Sequence, residues 1–293
     1  MSSRQRPSPP PCAYIALDAG AIHRRLKVVD IDCAVDVEPS LDSTNSDLLR
    51  QLRRDPLACV GSAQVPRLRL LAAEQQTMGR GRHGRSWHGA VGRAITASFA
   101  RRFNKTVADL SGLSLVCGLA LRCALNSAGV QAQLKWPNDV LVDDRKIAGI
   151  LVEVQALERN HTAAVMGCGI NVAPDPERDD KLDHGAVLAT DVISAARGRI
   201  SSAPIDRNEF LTTLATALTA HLTEFEQHGF GAFMARWNAA HAWRDQRVHL
   251  LEPGHAPQIF HAREINEQGH LRLETPGGSR WIFSGDLSLR PAA

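Results

Sequence analysis

The stretch Gly79-Arg80-Gly81-Arg82-His83-Gly84-Arg85-Ser86-Trp87 constrains the fold more than any other part of the chain. Its three glycines allow a tight backbone path and a close approach to a ligand. Its three arginines put permanent charge and forked donors on the same short segment. The flanking patterns decide what such a segment can join: Leu68–Ala73 and Ala94–Phe103 both read as strands. The loop therefore connects two strands and does not belong to a low-complexity tail, where arginine–glycine segments usually lie.

The rest of the central region alternates helical and strand patterns. Thr44-Asn45-Ser46-Asp47 reads as a capping box that opens a helix through Leu48, Leu49 and Leu52 and ends before Pro56. Leu110–Ala128 carries apolar residues at helical spacing (Leu113, Val116, Leu119, Ala120, Ala124), and Arg207–Gln227 is a long amphipathic helix. Leu134–Trp136, Val140–Val142, Lys146–Gln155 and Ala163–Val172 read as strands, with Asp143-Asp144-Arg145 as a turn. Strands joined by short turns, with helices on one side, predict an α+β fold around a central mixed β-sheet.

Beyond residue 245 the pattern changes to short strands, Val248–Leu251, Ile259–Ile265, Leu271–Glu274, Arg280–Phe283 and Leu287–Leu289. The turns between them carry Pro253-Gly254, Gln268-Gly269 and Pro276-Gly277-Gly278, which suits a small SH3-like barrel. The expected division is a tail over 1–37, a catalytic domain over 38–245 and the small barrel over 246–293. The tail is proline-rich and partly disordered at its start, with a short amphipathic stretch around Ile22–Val29.

Composition excludes several classes. A formal charge of +3 over 293 residues does not describe a strongly basic nucleic-acid binder. No uninterrupted apolar run approaches the roughly 20 residues that span a bilayer, and residues 1–11 lack a signal-peptide core, so a cytoplasmic location is expected. Cys12, Cys33, Cys59, Cys117, Cys123 and Cys168 show no CxxC pair; they read as free thiols, not a zinc site.

Taken alone, the glycine–arginine loop admits several readings. Gly79-x-Gly81-x-x-Gly84 satisfies the dinucleotide fingerprint, but Arg85-Ser86-Trp87-His88-Gly89 is a poor helix start. A solvated basic loop and an RNA-binding segment are two more; a loop that binds phosphate or carboxylate is the fourth. Two later blocks favour the last. Lys135-Trp136-Pro137-Asn138-Asp139 leads into Arg145-Lys146-Ile147-Ala148-Gly149-Ile150-Leu151-Val152-Glu153, and Gly167-Cys168-Gly169-Ile170-Asn171-Val172 follows. Lys146 begins an apolar strand, with Ala148 and Gly149 leaving room close behind it.

In this order, with the closing Phe283-Ser284-Gly285-Asp286-Leu287-Ser288-Leu289-Arg290, these blocks resemble the biotin–protein ligases, over roughly residues 40 to 290. The resemblance implies a class II synthetase-like fold of the biotin/lipoate ligase type. It implies formation of biotinyl-5′-AMP from biotin and ATP with Mg²⁺, then transfer to a lysine of the biotin carboxyl carrier protein of acetyl-CoA carboxylase. Carried over residue by residue, Lys146, Arg82 and Arg85 would be catalytic. Ser43, Thr44, Asn45, Gln76, Gly79 and Arg80 would bind biotin together with Lys146. Arg82, Arg85, Trp87, Asn138, Asp139 and Asn171 would face the nucleotide, with Asp139 as a Mg²⁺ contact, and Trp136 would flank the pocket beside Trp87.

The sequence departs from the family's pattern in three places. The proline and asparagine usual after the tryptophan are missing from Trp87-His88-Gly89-Ala90-Val91-Gly92-Arg93-Ala94, Met78 replaces a small residue, and Cys168 replaces an aliphatic one. Residues 1–37 are too short for the winged helix-turn-helix of the bifunctional members, so a monofunctional ligase without specific DNA binding is expected. Some members pair through sheet edges, and a homodimer is compatible with the sequence. Two other readings stay in view: a lipoate- or octanoate-handling acyltransferase of the same fold, and a non-catalytic nucleic-acid-binding protein.

Overall fold

The computed structural model describes residues 15–292 apart from 63–66, 159, 177, 179–186, 197–204, 253 and 284–287. The proline-rich start, Cys12 and residues 284–287 of the closing block lie outside the described residues.

The helices are α1 (Ala19–Val28), α2 (Thr44–Arg54), α3 (Pro56–Val60), α4 (Leu113–Ser127), α5 (Val192–Ala195), α6 (Arg207–His228) and α7 (Met234–Ala240). Seven strands form the first sheet: β1 (Cys33–Leu41), β2 (Leu68–Gln76), β3 (Ala94–Phe103), β4 (Gln133–Lys135), β5 (Asp139–Val142), β6 (Arg145–Ala156) and β7 (Thr162–Asn171). Their spatial order is β1-β2-β3-β7-β6-β5-β4. β1 pairs with β2 in parallel, and the other ladders of this sheet are antiparallel, so the sheet is mixed.

The second sheet holds β8 (Arg247–Leu251), β9 (Gln258–Ile265), β10 (Leu271–Thr275), β11 (Gly278–Ile282) and β12 (Ser288–Pro291) in the antiparallel order β11-β10-β9-β8-β12. Trp136 Nε1 donates to the Gly269 carbonyl at 3.1 Å and joins the two sheets.

Two layers of core explain where a site can lie. On one face of the first sheet, α4 and α6 contribute Val116, Ala120, Leu214 and Leu218, packed with Phe99, Phe103 and Ile150. The stretch Ala108–Ser127 is long and apolar enough to cross a membrane, yet it is mostly buried between the sheet and α6, which accounts for its all-round apolarity. On the opposite face α2 and α3 bury Leu48, Leu49, Leu52, Cys59 and Val60 against Leu71, Ala100, Ala163 and Val165. Helices thus cover both faces, whereas sequence patterning placed them on one; α2 and α3 are short, and their apolar residues did not reveal which face they cover.

The expected boundary at 37/38 does not coincide with a break between elements. A boundary at 37/38 would cut through β1, a strand that patterning missed although Cys33, Val35 and Val37 alternate with Ala34, Asp36 and Glu38. Ahead of it, α1 buries Ile22 and Leu26 against β1 and α6. The segment before α1 is clasped by a buried ion pair: Arg207 binds Glu74 at 2.9 Å and donates to the Ile15 carbonyl, while Glu74 accepts from the Leu17 amide.

Candidate active site

β2 ends at Gln76 and delivers the chain to the glycine–arginine loop, which folds back on itself as a short hairpin. The Gly81 N–H donates to the Arg85 carbonyl at 2.7 Å and the Trp87 N–H to the Gly79 carbonyl at 2.9 Å. A Cβ at Gly79 would overlap the Trp87 carbonyl oxygen, so this crossing needs glycine. The tip turns through left-handed His83 (φ 57°) and Gly84 (φ 70°). No α-helix opens after Gly84, so the dinucleotide reading fails on its structural requirement.

The hairpin forms one wall of a cleft on the α2 face of the sheet. Small residues on β7 make the space. A Cβ at Gly167 would collide with the Asn45 amide, and one at Gly169 with the Trp87 ring, which therefore lies directly on the strand backbone.

One end of the cleft is neutral and rich in buried hydroxyls and amides. Ser43 caps α2, its Oγ accepting from the Ser46 N–H at 3.4 Å, so the cap sits one residue before the expected Thr44. That shift frees the Thr44 hydroxyl to meet Ser98 Oγ at 2.6 Å and Gln76 Oε1 at 3.1 Å. Ser98 in turn donates to Asn45 Oδ1 at 2.6 Å.

The other end is cationic. Asp139 lies between two lysines, with Oδ2 2.6 Å from Lys135 Nζ and Oδ1 2.5 Å from Lys146 Nζ. Burial raises the Asp139 pKa, but the two ammonium groups outweigh it and hold the carboxyl well below its ordinary range. Burial lowers the Lys135 pKa and Asp139 opposes that shift. The trio carries a net charge of +1. Only Lys146 is substantially open to solvent, so the surplus charge points into the cleft. Its ammonium lies 5.8 Å from the Trp87 ring centroid. Arg82 Nη1 reaches Asn138 Oδ1 at 3.3 Å, and Asn138 is itself fixed by two hydrogen bonds to the Ile150 backbone.

Ser43, Thr44, Asn45, Gln76, Arg80, Arg82, Arg85, Trp87, Asn138, Asp139 and Lys146 all line this one cleft. Three residues marked for it are elsewhere. Gly79 stands behind the lining as the crossing point of the loop. Asn171 is buried, donating to the carbonyls of Lys146 (3.3 Å) and Thr190 (3.0 Å), and so holds the backbone under Lys146. Trp136 is a core residue at the junction of the two sheets.

Asp139 does not fit as a Mg²⁺ ligand, because each of its oxygens already carries a lysine ammonium. Among the described residues no three His, Cys, Asp or Glu side chains converge as a metal site. Cys33, Cys59, Cys117, Cys123 and Cys168 are free thiols; burial pushes Cys168, beside the cleft, up to about 12.

Sequence reading missed Lys135, Ser98 and Glu153. Lys135 had a visible signal, a lysine between Leu134 and Trp136 with an aspartate four residues on. Ser98 looked like any strand serine, and Glu153 like the end of an exposed strand.

Comparison with known proteins agrees with this geometry. Residues 50–171 match the model of the biotin/lipoate A/B protein ligase family. The chain is 33% identical over 280 residues to the bifunctional ligase/repressor BirA of Salmonella typhimurium, covering 94% of this chain and 79% of that protein. It is 32% identical to the biotin–[acetyl-CoA-carboxylase] ligase of Mycobacterium tuberculosis, covering 86% and 88%. The biotin protein ligase from Aquifex aeolicus, solved with biotin and ATP, superposes with a TM-score of 0.67 at 27% identity, over 88% of this chain and 99% of that one.

Proposed function

The chain belongs to the biotin/lipoate A/B protein ligase family, and from that premise we propose that it activates biotin with ATP and transfers it to a lysine of a carrier protein. The observation that carries this reading is the polarity of the cleft: neutral hydroxyls and amides at one end, a net positive charge at the other.

A urea ring has two N–H donors and one carbonyl acceptor. Thr44 and Ser43, both buried, and the half-buried Gln76 supply the matching groups at the neutral end. A dithiolane ring has nothing to offer them and would leave buried polar groups unmatched, which disfavours a lipoyl substrate. The arginine loop folds into a cleft wall and does not spread over an open face, which disfavours the nucleic-acid reading.

In the first step a biotin carboxylate oxygen attacks the α-phosphorus of ATP, an acyl–phosphate bond forms, and pyrophosphate leaves. Two anions must meet. Unit charges 4 Å apart at an effective dielectric near 20 repel by about 4 kcal/mol, so cations fixed in advance lower the barrier. Lys146 is held by Asp139, and Arg82 by Asn138, before any ligand enters. Arg85 adds a third cation at the mouth of the cleft. In the second step the carrier's amine attacks the acyl carbon, the amide forms, and AMP leaves. Mg²⁺ enters this proposal as the counter-ion of ATP, because the described residues do not build a site for it.

The carrier of acetyl-CoA carboxylase is the expected acceptor, and the cytoplasm, where ATP and such carriers meet, the expected location. No DNA-binding role is assigned: α1, the helix that precedes β1 among the described residues, is packed onto β1 and α6. Self-pairing would use the second half of β6, which extends past its β5 partner beyond Gly149. Biotin-dependent exchange of labelled pyrophosphate into ATP tests the first step. Exchange that appears only with biotin supports it, and exchange indifferent to biotin, or absent from the folded protein, refutes it.

A further inference from the structure

We propose that Glu153 is a positioning residue that fixes the direction of the hydrogen-bond chain in the neutral end of the cleft and ties that chain to the arginine loop. The inference rests on the biotin reading above and concerns how the same site becomes selective.

Glu153 lies on β6, beside Leu151 on the α2 face. Its Oε2 accepts from Asn45 Nδ2 at 2.9 Å and from Arg80 Nη1 at 3.1 Å, and Arg80 Nη2 lies 3.0 Å from its Oε1. Asn45 Nδ2 also reaches the Leu151 carbonyl at 3.2 Å. A carboxylate and a carbonyl can only accept, so the NH₂ of Asn45 must face them and its Oδ1 must face Ser98. Ser98 then has to donate to Asn45, and its single proton is used.

The 2.6 Å contact between Ser98 and Thr44 can now be made only with Thr44 as donor. Thr44's own proton is thereby committed, shared between Ser98 Oγ at 2.6 Å and Gln76 Oε1 at 3.1 Å, and what remains on its oxygen for a ligand is a lone pair. Gln76 is oriented in the same way, its carbonyl held by the Thr44 N–H at 2.8 Å, so its NH₂ is the donating end. The result is an acceptor on Thr44 and a donor on Gln76, which suits a urea N–H beside its C=O.

The reversed chain would pass Ser98's proton to Thr44 and Thr44's proton to Gln76 Oε1, using a Thr44 lone pair that a ligand would otherwise meet, and it fails at one place. There Asn45 Oδ1 would face a carboxylate and a carbonyl. Glu153 therefore selects the direction. Thr44, Asn45 and Ser98 are 3%, 3% and 0% exposed, so water does not repair a wrong choice. The same carboxylate also anchors the loop through Arg80, which couples the polarity of the pocket to the position of its wall.

Glu153→Gln keeps the shape but lets either end of its amide face Asn45, so the direction is no longer imposed, and the charge on Arg80 is no longer met. The test compares this variant with the unaltered protein in three measurements: steady-state kinetics in biotin and in ATP, thermal melting, and ligand-free trypsin cleavage within the loop. The expected result is a biotin KM raised about tenfold or more, with kcat and the ATP KM within about threefold and faster loop cleavage. A biotin KM within twofold of the unaltered protein overturns the proposal, and so does a parallel collapse of kcat, ATP KM and melting temperature. If the unaltered protein fails to bind biotin, the ligand assignment falls instead, and the ligand-free cleavage rate still reports whether Glu153 holds the loop.

Discussion

Replacing Asp139 by asparagine isolates the electrostatics of the cationic end. The carboxylate sits between Lys135, which is 4% exposed, and Lys146, which is 30% exposed. Lys146 can recover solvation by moving toward the cleft; Lys135 cannot. Left without its counter-ion, Lys135 would sooner fold as the neutral amine than as a buried ammonium. Neutralising a lysine of ordinary pKa about 10.4 at pH 7 costs about 4.6 kcal/mol, at 1.36 kcal/mol per unit. That sets the ceiling on the destabilisation, and it agrees with the roughly 3–5 kcal/mol typical of breaking a buried pair.

The sign of the pH dependence follows. In the variant Lys135 is neutral when folded and charged when unfolded, so the unfolded state binds one more proton, and stability rises with pH by about 1.4 kcal/mol per unit until pH nears 10.4. In the unaltered protein Asp139 opposes the lowering of the Lys135 pKa, so the same slope begins only at higher pH than in the variant. Urea unfolding of both proteins at pH 7, 8 and 9 would show the deficit shrinking from at most about 4.6 to about 1.9 kcal/mol. A deficit that stays constant over this range would refute the reasoning.

The remaining predictions use the same geometry. Lys146→Ala and Arg82→Ala each lower biotin-dependent adenylate formation by about 10²–10³, read as pyrophosphate exchange; near-normal turnover in both would remove them from the chemistry. Gly169→Ala places a Cβ in the Trp87 ring, and overpacking of about 1–3 kcal/mol weakens biotin binding by about 5- to 150-fold in calorimetry, so an unchanged dissociation constant would show that Trp87 yields freely. Arg207→Ala removes the guanidinium held by the half-buried Glu74 and lowers stability by about 3–5 kcal/mol; a cost under about 1 kcal/mol would show that residues 15–18 are not clasped through this pair.

Much of the cleft was legible because its residues lie in short blocks with distinctive chemistry. Three glycines among three arginines admit few conformations, and the lysine–turn–strand block carries its own register. Strands β3 and β6 and helix α6 were placed within a residue or two, since their patterns are long and uniform. What stayed hidden depended on partners distant in sequence. β1 is half-exposed and carries Asp36, Glu38 and Pro39, so its strand character shows only once β2 is beside it.

The N-cap was misplaced by one residue because Ser43 and Thr44 are both good caps. The difference decides whether Thr44 spends its hydroxyl on the helix or on Ser98. Asp139 looked like a metal ligand because nothing local reveals that Lys135 and Lys146 converge on it. Glu153 meets Asn45 across 108 residues and Arg80 across 73, and no local pattern records such pairings.

The central claim is tested most directly by the intact mass of an apo biotin-carrier domain incubated with this protein, biotin, ATP and Mg²⁺. The account predicts a single mass increment equal to one biotinyl group, abolished when ATP is omitted or when the acceptor lysine is replaced by arginine. An unmodified carrier in the presence of folded protein, or an increment equally well formed with lipoate or octanoate in place of biotin, would contradict it.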